Sequence, residues 1–476
     1  MSALPAGFLD ELREAVGDRG LSTEPADRDA VAHDLWPRAL IAERGGHPLP
    51  GPDAVVWPAD REQVAAVCAT CHRAGVPFTP FGAGTGVCGA AVPVRGGVVL
   101  DLKRLDRILD WDLESGWVVV EPGVLGSRLE DACRERGRTT GHHPSSLALS
   151  TVGGFVATRS AGQLSTRYGR IDDLVAGLEA VLPDGTAVSL RAQPASGAGP
   201  DLRRLFLGSE GGFGVVVEVT LRLRPLPERR VDHAAVFATF AAGVAAVREL
   251  LQAGLRPSLL RLYDPADTAL QAAELGVGAG AGEGLDDDAL LLTSCEGRAG
   301  VAGAEAAELA AICAAHGARA CDPGAVAAWY ARRDDIGFAQ ARYLPLPGAV
   351  IDTVELAAPW SRLVALHEAV RRRLGGRLIV LCHLSHGYPD GACLYFSFAG
   401  VAAEEEAAVP LHERLWEEVM AAAAETGASI GHHHGAGLAR APHMAAELGE
   451  GGLEVLRRLK LALDPGGVAN PGKWGL

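Results

Sequence analysis

The 476-residue chain is short of aromatic side chains, with 11 Phe, 8 Trp and 6 Tyr. It also lacks a basic surplus: 44 Lys and Arg stand against 59 Asp and Glu, a formal charge of −15. General binding to nucleic acid or to an anionic membrane needs clustered cations, so the composition argues against both. No stretch of 18 uninterrupted apolar residues occurs, because every Ala-rich candidate is broken by Glu, Arg or Gly. No cationic segment followed by an apolar core opens the sequence, and residues 1–20 read as an amphipathic helix. A cytoplasmic location is expected. Nine Cys at irregular spacing argue for reduced thiols rather than a disulfide framework. What the chain has in excess is glycine, 60 residues without the triplet period of collagen. A hydrophobic content of 48% is that of a globular protein, and the length implies two or three domains.

One cysteine motif is a decoy. Cys68-Ala-Thr-Cys71-His72 matches the attachment pattern of c-type haem. It falls in a helical stretch whose Val64, Val67, Cys68 and Cys71 share one face, so the thiols read as core residues. Around it, residues 53–102 read as strand, helix, strand, glycine loop, strand. Two hairpins follow, turning at Glu114-Ser115-Gly116 and Pro183-Asp184-Gly185, then an alternating strand from Val217. This α+β region closes near residue 226. From Val231 strand–helix units repeat, which suggests a sheet with helices on one face. Residues 274–288, Gly-rich and acidic, read as a surface loop.

The segment Pro80-Phe81-Gly82-Ala83-Gly84-Thr85-Gly86, continuing to Gly89, contains G-x-G-x-x-G. A dinucleotide fingerprint of that kind must open a helix, whose N-terminus faces the pyrophosphate. Here Pro93 and a strand follow, so the Rossmann reading fails. What remains is a nest of backbone N–H groups able to cradle phosphate without a helix. Two more small-residue runs, 146–162 and 207–216, lie in the same region. Three such runs point to a large phosphorylated cofactor held from several sides.

The motif order PFGAGTG, VEPG, PSSLALSTVGGFVATRSAG, RYGRIDDLV and GSEGGFGVV resembles the FAD domain of the vanillyl-alcohol-oxidase/p-cresol-methylhydroxylase superfamily. The resemblance implies an α+β fold, with a two-subdomain FAD-binding domain of the p-cresol methylhydroxylase type. An FAD-linked-oxidase C-terminal substrate domain would follow, its antiparallel sheet covered by helices. The implied boundaries are a helical segment at 1–49, the FAD domain at 50–226, the substrate domain at 227–440 and a segment at 441–476 that returns to the FAD domain. The resemblance places Pro80, Gly82, Ala83, Gly84, Thr85 and Gly86 at the pyrophosphate. It places Pro144, Ser150, Thr151, Gly153, Gly154, Thr158 and Ser160 along the flavin, with Ile171, Glu210 and Val215 as further cofactor contacts. Some members bind flavin covalently through His or Cys; the first loop offers only Cys88, so non-covalent FAD is expected.

In the second half, Gly431-His432-His433-His434-Gly435 is the most conspicuous feature. Neighbouring side chains of an extended segment point to opposite faces, so three consecutive His do not readily meet one ion. His383, His386 and Asp390 form a second metal candidate. Metal-dependent D-2-hydroxyacid dehydrogenases of the superfamily carry further ligands that this chain lacks, and no metal is expected. The triple His, Gly-Ala-Cys-Leu-Tyr395-Phe and Glu355-Leu-Ala-Ala-Pro-Trp360 together resemble the alkyldihydroxyacetonephosphate synthase family. That resemblance implies Tyr395 and His433 as an acid/base pair, His432 and His434 as shapers of the site, and Arg342 and Arg261 as substrate contacts. It also implies exchange of the acyl group of acyl-dihydroxyacetone phosphate for a fatty alcohol. The C-terminal Asn-Pro-Gly-Lys resembles the D-lactate or glycolate oxidase branch instead. Oxidation of a D-2-hydroxy acid is therefore the second reading, and a non-catalytic flavin-binding subunit the third. A lipid-like or hydroxy-acid substrate, peripheral membrane contact and a homodimer complete the expectations.

Overall fold

The computed structural model describes residues 4–275, 287–334, 342–376 and 378–476. Most of the Gly-rich loop expected at 274–288 lies outside them. Among the described residues no helix is long and apolar enough to cross a membrane.

The first sheet holds β1 (Leu21–Ser22), β2 (Ala54–Val56), β3 (Phe78–Phe81) and β4 (Val98–Asp101) in the order β1-β2-β4-β3. β2 and β3 each run parallel to β4. Their crossover is the helix Arg61–Ala74. Asp60 starts it by accepting from the Gln63 N–H at 2.8 Å, a cap worth about 1 kcal/mol, and left-handed Gly75 stops it. Val64, Val67, Cys68 and Cys71 are buried, as the haem-free reading requires, in one core with Phe8 and Leu12 of the helix Phe8–Val16.

A second, antiparallel sheet is built from β5 (Ile108–Asp112), β6 (Trp117–Val120), β8 (Val175–Val181), β9 (Ala187–Leu190) and β10 (Val215–Arg222) in the order β5-β6-β10-β8-β9. Both expected hairpins are present in it. Between them β7 (Arg138–Thr139) pairs with β11 (Arg224–Pro225).

The third sheet has seven antiparallel strands: β12 (Arg229–Phe237), β13 (Leu259–Tyr263), β14 (Ala289–Gly297), β15 (Arg319–Cys321), β16 (Ala349–Pro359), β17 (Ile379–Gly387) and β18 (Gly391–Val401). Their order is β15-β12-β14-β13-β17-β18-β16. Leu260, Leu262, Leu356, Leu384 and Phe396 face one side, packed with the helices 240–252, 299–315, 360–374 and 408–426. The expected single helical layer is incomplete as a description. The helices Pro265–Leu275 and Gly324–Arg332 cover the other face over β12–β14. That double burial is why Ala-Leu-Leu-Leu-Thr-Ser-Cys at 289–295 shows no alternation. Over β17 and β18 the second face is free of these helices' core, and the candidate site lies there.

The C-terminal segment extends the first sheet. The Phe78 N–H donates to the Val468 carbonyl and the Asn470 N–H to the Phe78 carbonyl, both at 2.8 Å. Asn470 Nδ2 then donates to the Glu210 and Ala90 carbonyls at 2.6 and 2.9 Å, and buried Lys473 Nζ to the Val92 carbonyl at 2.8 Å. Asn470→Ala strands two buried carbonyls, an expected loss of about 1–3 kcal/mol. A thermal melt showing no destabilisation would contradict this account of the segment.

Candidate active site

The glycine runs converge. Gly82 approaches the second run so closely that a Cβ there would stand 2.5 Å from Thr151 Oγ1. Thr85 Oγ1 meets Ser150 Oγ at 2.6 Å, and Ser150 Oγ meets Ser146 Oγ at 2.7 Å. Gly84 has φ +66, a left-handed conformation that favours glycine. Among the described residues, none of the backbone N–H groups from Ala83 to Cys88 donates to a protein acceptor. A half-buried run of unpaired donors framed by small residues fits a diphosphate.

The second run differs from the loop expected. Val152–Thr158 is a short helix opened by Thr151, and Gly153 is required because a Cβ would press on Pro122. Thr158 Oγ1 donates to the Gly154 carbonyl, Ser160 Oγ bonds His142 Nε2 at 2.9 Å, and Pro144 is half-buried nearby. Ile171 and Val215 have their side chains in hydrophobic cores, so neither offers a cofactor a side-chain contact from the surface. Glu210 is likewise committed: its carboxylate accepts from the Ala436 and Gly437 N–H groups at 2.6–3.0 Å. Burial raises its pKa to about 7. Its work is to anchor the loop after the histidines.

Strand register builds the other half of the site. Glu355 on β16, Tyr395 on β18, His383 on β17 and Tyr263 on β13 are directly paired across four strands. Their sequence neighbours Val354, Leu356, Leu384 and Phe396 belong to the helix-packed core, so the period of two puts this row on the opposite face. The His383 and Tyr395 rings stack at 5.0 Å, and His433 lies 6.0 Å beyond Tyr395.

The triple-His segment is not extended. It bends so that the N–H groups of His432, His433 and His434 all donate to Glu355 Oε1, at 3.1, 3.0 and 2.8 Å. Glu355 Oε2 pairs with Arg440 and stands 3.1 Å from His434 Nδ1. Burial opposes the charge of Glu355, but Arg440 and His434 hold its carboxyl well below the usual range. The three rings are packed against each other, with adjacent centroids 4.5 and 5.1 Å apart. Burial pushes His432 down to about 3 and drives His433 and His386 well below the ordinary imidazole value. Shifted that far down, the rings of His432, His433 and His386 are neutral at physiological pH. Burial raises the Tyr395 phenol, keeping it protonated and able to donate.

Arg261 is buried, donates from Nη2 to His383 Nε2 at 2.6 Å, and among the described residues its Nε has no partner. His383 Nδ1 lies 3.2 Å from Asp267 Oδ2. A buried guanidinium with an orphan donor is suited to a substrate anion. Arg342 is exposed, and among the described residues no hydrogen bond or ion pair joins it to this cluster. The metal candidate His383–His386–Asp390 does not assemble: Asp390 is exposed in the hairpin turn, and His386 Nδ1 bonds Ser165 Oγ at 2.6 Å. Nitrogens of His386, His432 and His433 do lie within 4.8 Å of one another. Both nitrogens of His432 are already engaged, by His433 and by Tyr388, leaving fewer ligands than zinc takes. Cys88 is also committed, accepting from Arg440 Nη1, and burial pushes its thiol up.

Sequence reasoning about site residues passed over Glu355, Asp267, Ser165 and Tyr388. Glu355 stood in a quoted motif, but its role depends on a loop 77 residues away. The others carry no local signal.

The chain matches the family model "FAD binding domain" over residues 52–191 and "FAD linked oxidases, C-terminal domain" over residues 226–474. It belongs to the FAD-linked oxidase family, it is an FAD-dependent enzyme, and FAD is its cofactor. Among curated relatives, alkyldihydroxyacetonephosphate synthase of Trypanosoma brucei brucei is 29% identical, across 98% of this chain and 80% of that protein. The uncharacterized FAD-linked oxidoreductase YgcU of Escherichia coli (strain K12) is 32% identical across 99% of both. A solved alkyldihydroxyacetonephosphate synthase superposes with a TM-score of 0.82 at 25% identity, covering 99% of this chain and 85% of that one. p-Cresol methylhydroxylase with substrate bound shares the fold, with a TM-score of 0.77 at 17% identity over 100% and 98% of the two chains.

Proposed function

We propose that this enzyme is an alkyl transferase of the alkyldihydroxyacetonephosphate synthase type, replacing the acyl group of acyl-dihydroxyacetone phosphate with a fatty alcohol. The observation that carries the reading is the neutral His433, held by the Glu355-anchored loop beside a protonated Tyr395. Bound FAD supplies an electron-accepting ring. The chain's own residues do the rest. Ala83 to Cys88 present unpaired N–H donors for the cofactor's phosphates. His433 Nε2 removes a proton from substrate, Tyr395 gives one to the departing oxygen, and Arg261 holds the substrate's anionic group. Glu355 and Glu210 fix the loop on both sides of the histidines and take no proton from substrate.

The second reading, oxidation of a D-2-hydroxy acid, uses the same base and the same cation. The E. coli relative, named an oxidoreductase, favours it. One pair of assays separates them. Holoenzyme given acyl-dihydroxyacetone phosphate and labelled hexadecanol, with no electron acceptor, is expected to form labelled ether product. Under anaerobic conditions D-lactate, glycolate and D-2-hydroxyglutarate are expected to leave the flavin oxidised. Rapid bleaching by any of the three, without ether formation, would overturn the transferase reading.

A further inference from the structure

We propose that Tyr388 is the outlet of a proton relay that runs from His433 through His432 and carries one proton between the reacting face and solvent. This rests on His433 being the base. His433 Nδ1 lies 2.9 Å from His432 Nδ1, and His432 Nε2 lies 2.7 Å from the Tyr388 hydroxyl. Tyr388 occupies the turn between β17 and β18, is partly exposed, and is followed by exposed Pro389 and Asp390. Its own backbone is pinned: its N–H donates to the Gly391 carbonyl at 2.8 Å, and its carbonyl accepts from Trp360 Nε1 at 3.2 Å. The hydroxyl is thereby held where the histidine pair ends.

The proton count closes. Each neutral imidazole has one donor and one acceptor nitrogen, so one hydrogen lies between the two Nδ1 atoms. With that hydrogen on His433, His432 accepts at Nδ1 and donates from Nε2–H to the tyrosine oxygen. When His433 Nε2 takes a proton from substrate, its Nδ1 proton moves to His432 Nδ1. The Nε2 proton of His432 moves to Tyr388, and the phenolic proton leaves to water. One proton enters and one departs, every group ends neutral, and the reverse sequence returns a proton to the substrate. Burial of both rings disfavours a resident imidazolium, and the Arg170 guanidinium beside His432 and Tyr388 disfavours it further. The proton therefore passes through rather than resting on the pair. His386 is outside the line, since its Nδ1 is tied to Ser165.

Tyr388 acts through His432 and is a positioning residue, so its test needs more than loss of activity. In Tyr388→Phe holoenzyme, turnover of the substrate that wild type accepts is expected to fall tenfold or more. Imidazole buffer is expected to restore most of it while leaving wild type unaffected. Unchanged turnover, or a loss that imidazole does not repair, would overturn the relay. If wild type turns over neither substrate class, the functional reading has failed, and the relay is tested without substrate. In protein carrying 15N-labelled histidine, with His432→Gln for assignment, exchange of the His432 ring N–H into D2O is expected to slow at least tenfold in Tyr388→Phe. Equal exchange rates in the two proteins would sink the proposal.

Discussion

Glu355→Ala is expected to be the most damaging single substitution in this chain, lowering stability by about 3–5 kcal/mol. One side chain here satisfies three consecutive backbone donors and neutralises a guanidinium that is 1% exposed. Arg440 keeps its bonds to the Ile430 and Gly435 carbonyls, but its charge is left buried without a partner. Glu355→Gln retains an oxygen for the three N–H groups but sets an amide NH2 against the Arg440 guanidinium, donor against donor, so its loss is expected to be smaller than that of Ala only by what the three N–H bonds contribute. The pH dependence has a definite sign. A carboxyl held below its usual value of 4.5 contributes fully above that value and loses its contribution as pH falls through the depressed one. Below pH 4.5 wild type should lose stability more steeply than Glu355→Gln. Thermal melts across pH provide the measurement, and an Ala variant that melts with wild type would refute the anchoring role.

His433→Ala and Tyr395→Phe should each lower turnover 10²–10⁴-fold, about the range general acid–base groups contribute, while FAD stays bound. The two side chains sit beside the sheet face, and the cofactor's phosphate cradle is made by separate residues, Ala83 to Cys88. Flavin absorbance of the purified variants is therefore expected to equal that of wild type. Tyr395→Phe removes only a hydroxyl and leaves the stacked ring of His383 in place. Either variant purifying without flavin would assign its residue a structural role. Substantial remaining turnover would move the acid/base work elsewhere.

The reach of the sequence can be traced residue by residue. The hairpins, the helix behind Cys68 and Cys71, and the failed Rossmann fingerprint all rest on short-range chemistry: turns, caps and periodicity. Local pattern sufficed for them. The second glycine run was harder, because Gly153 and Gly154 weaken helix propensity and the Thr151 cap outweighs them. The bend at His432–His434 was invisible for another reason. Nothing nearby dictates it; the cause is Glu355, delivered by a strand whose register against Tyr395 only the folded sheet defines. Glu210 shows the same limit. The family resemblance implied a cofactor contact there, and a distant loop claims its carboxylate.

The edge of β3 has a consequence in time. That edge is completed by residues 468–470, which lie far along the chain from Phe78. At translation rates of about 5–20 residues per second, the stretch between residues 226 and 468 takes on the order of 12–50 s to emerge. Throughout that interval the Phe78 backbone lacks its partners, and Ala90 and Glu210 lack the Asn470 amide that ties them together. The FAD-binding half is therefore translated well before the segment that completes its first sheet, and that edge closes only once residues 468–470 have emerged.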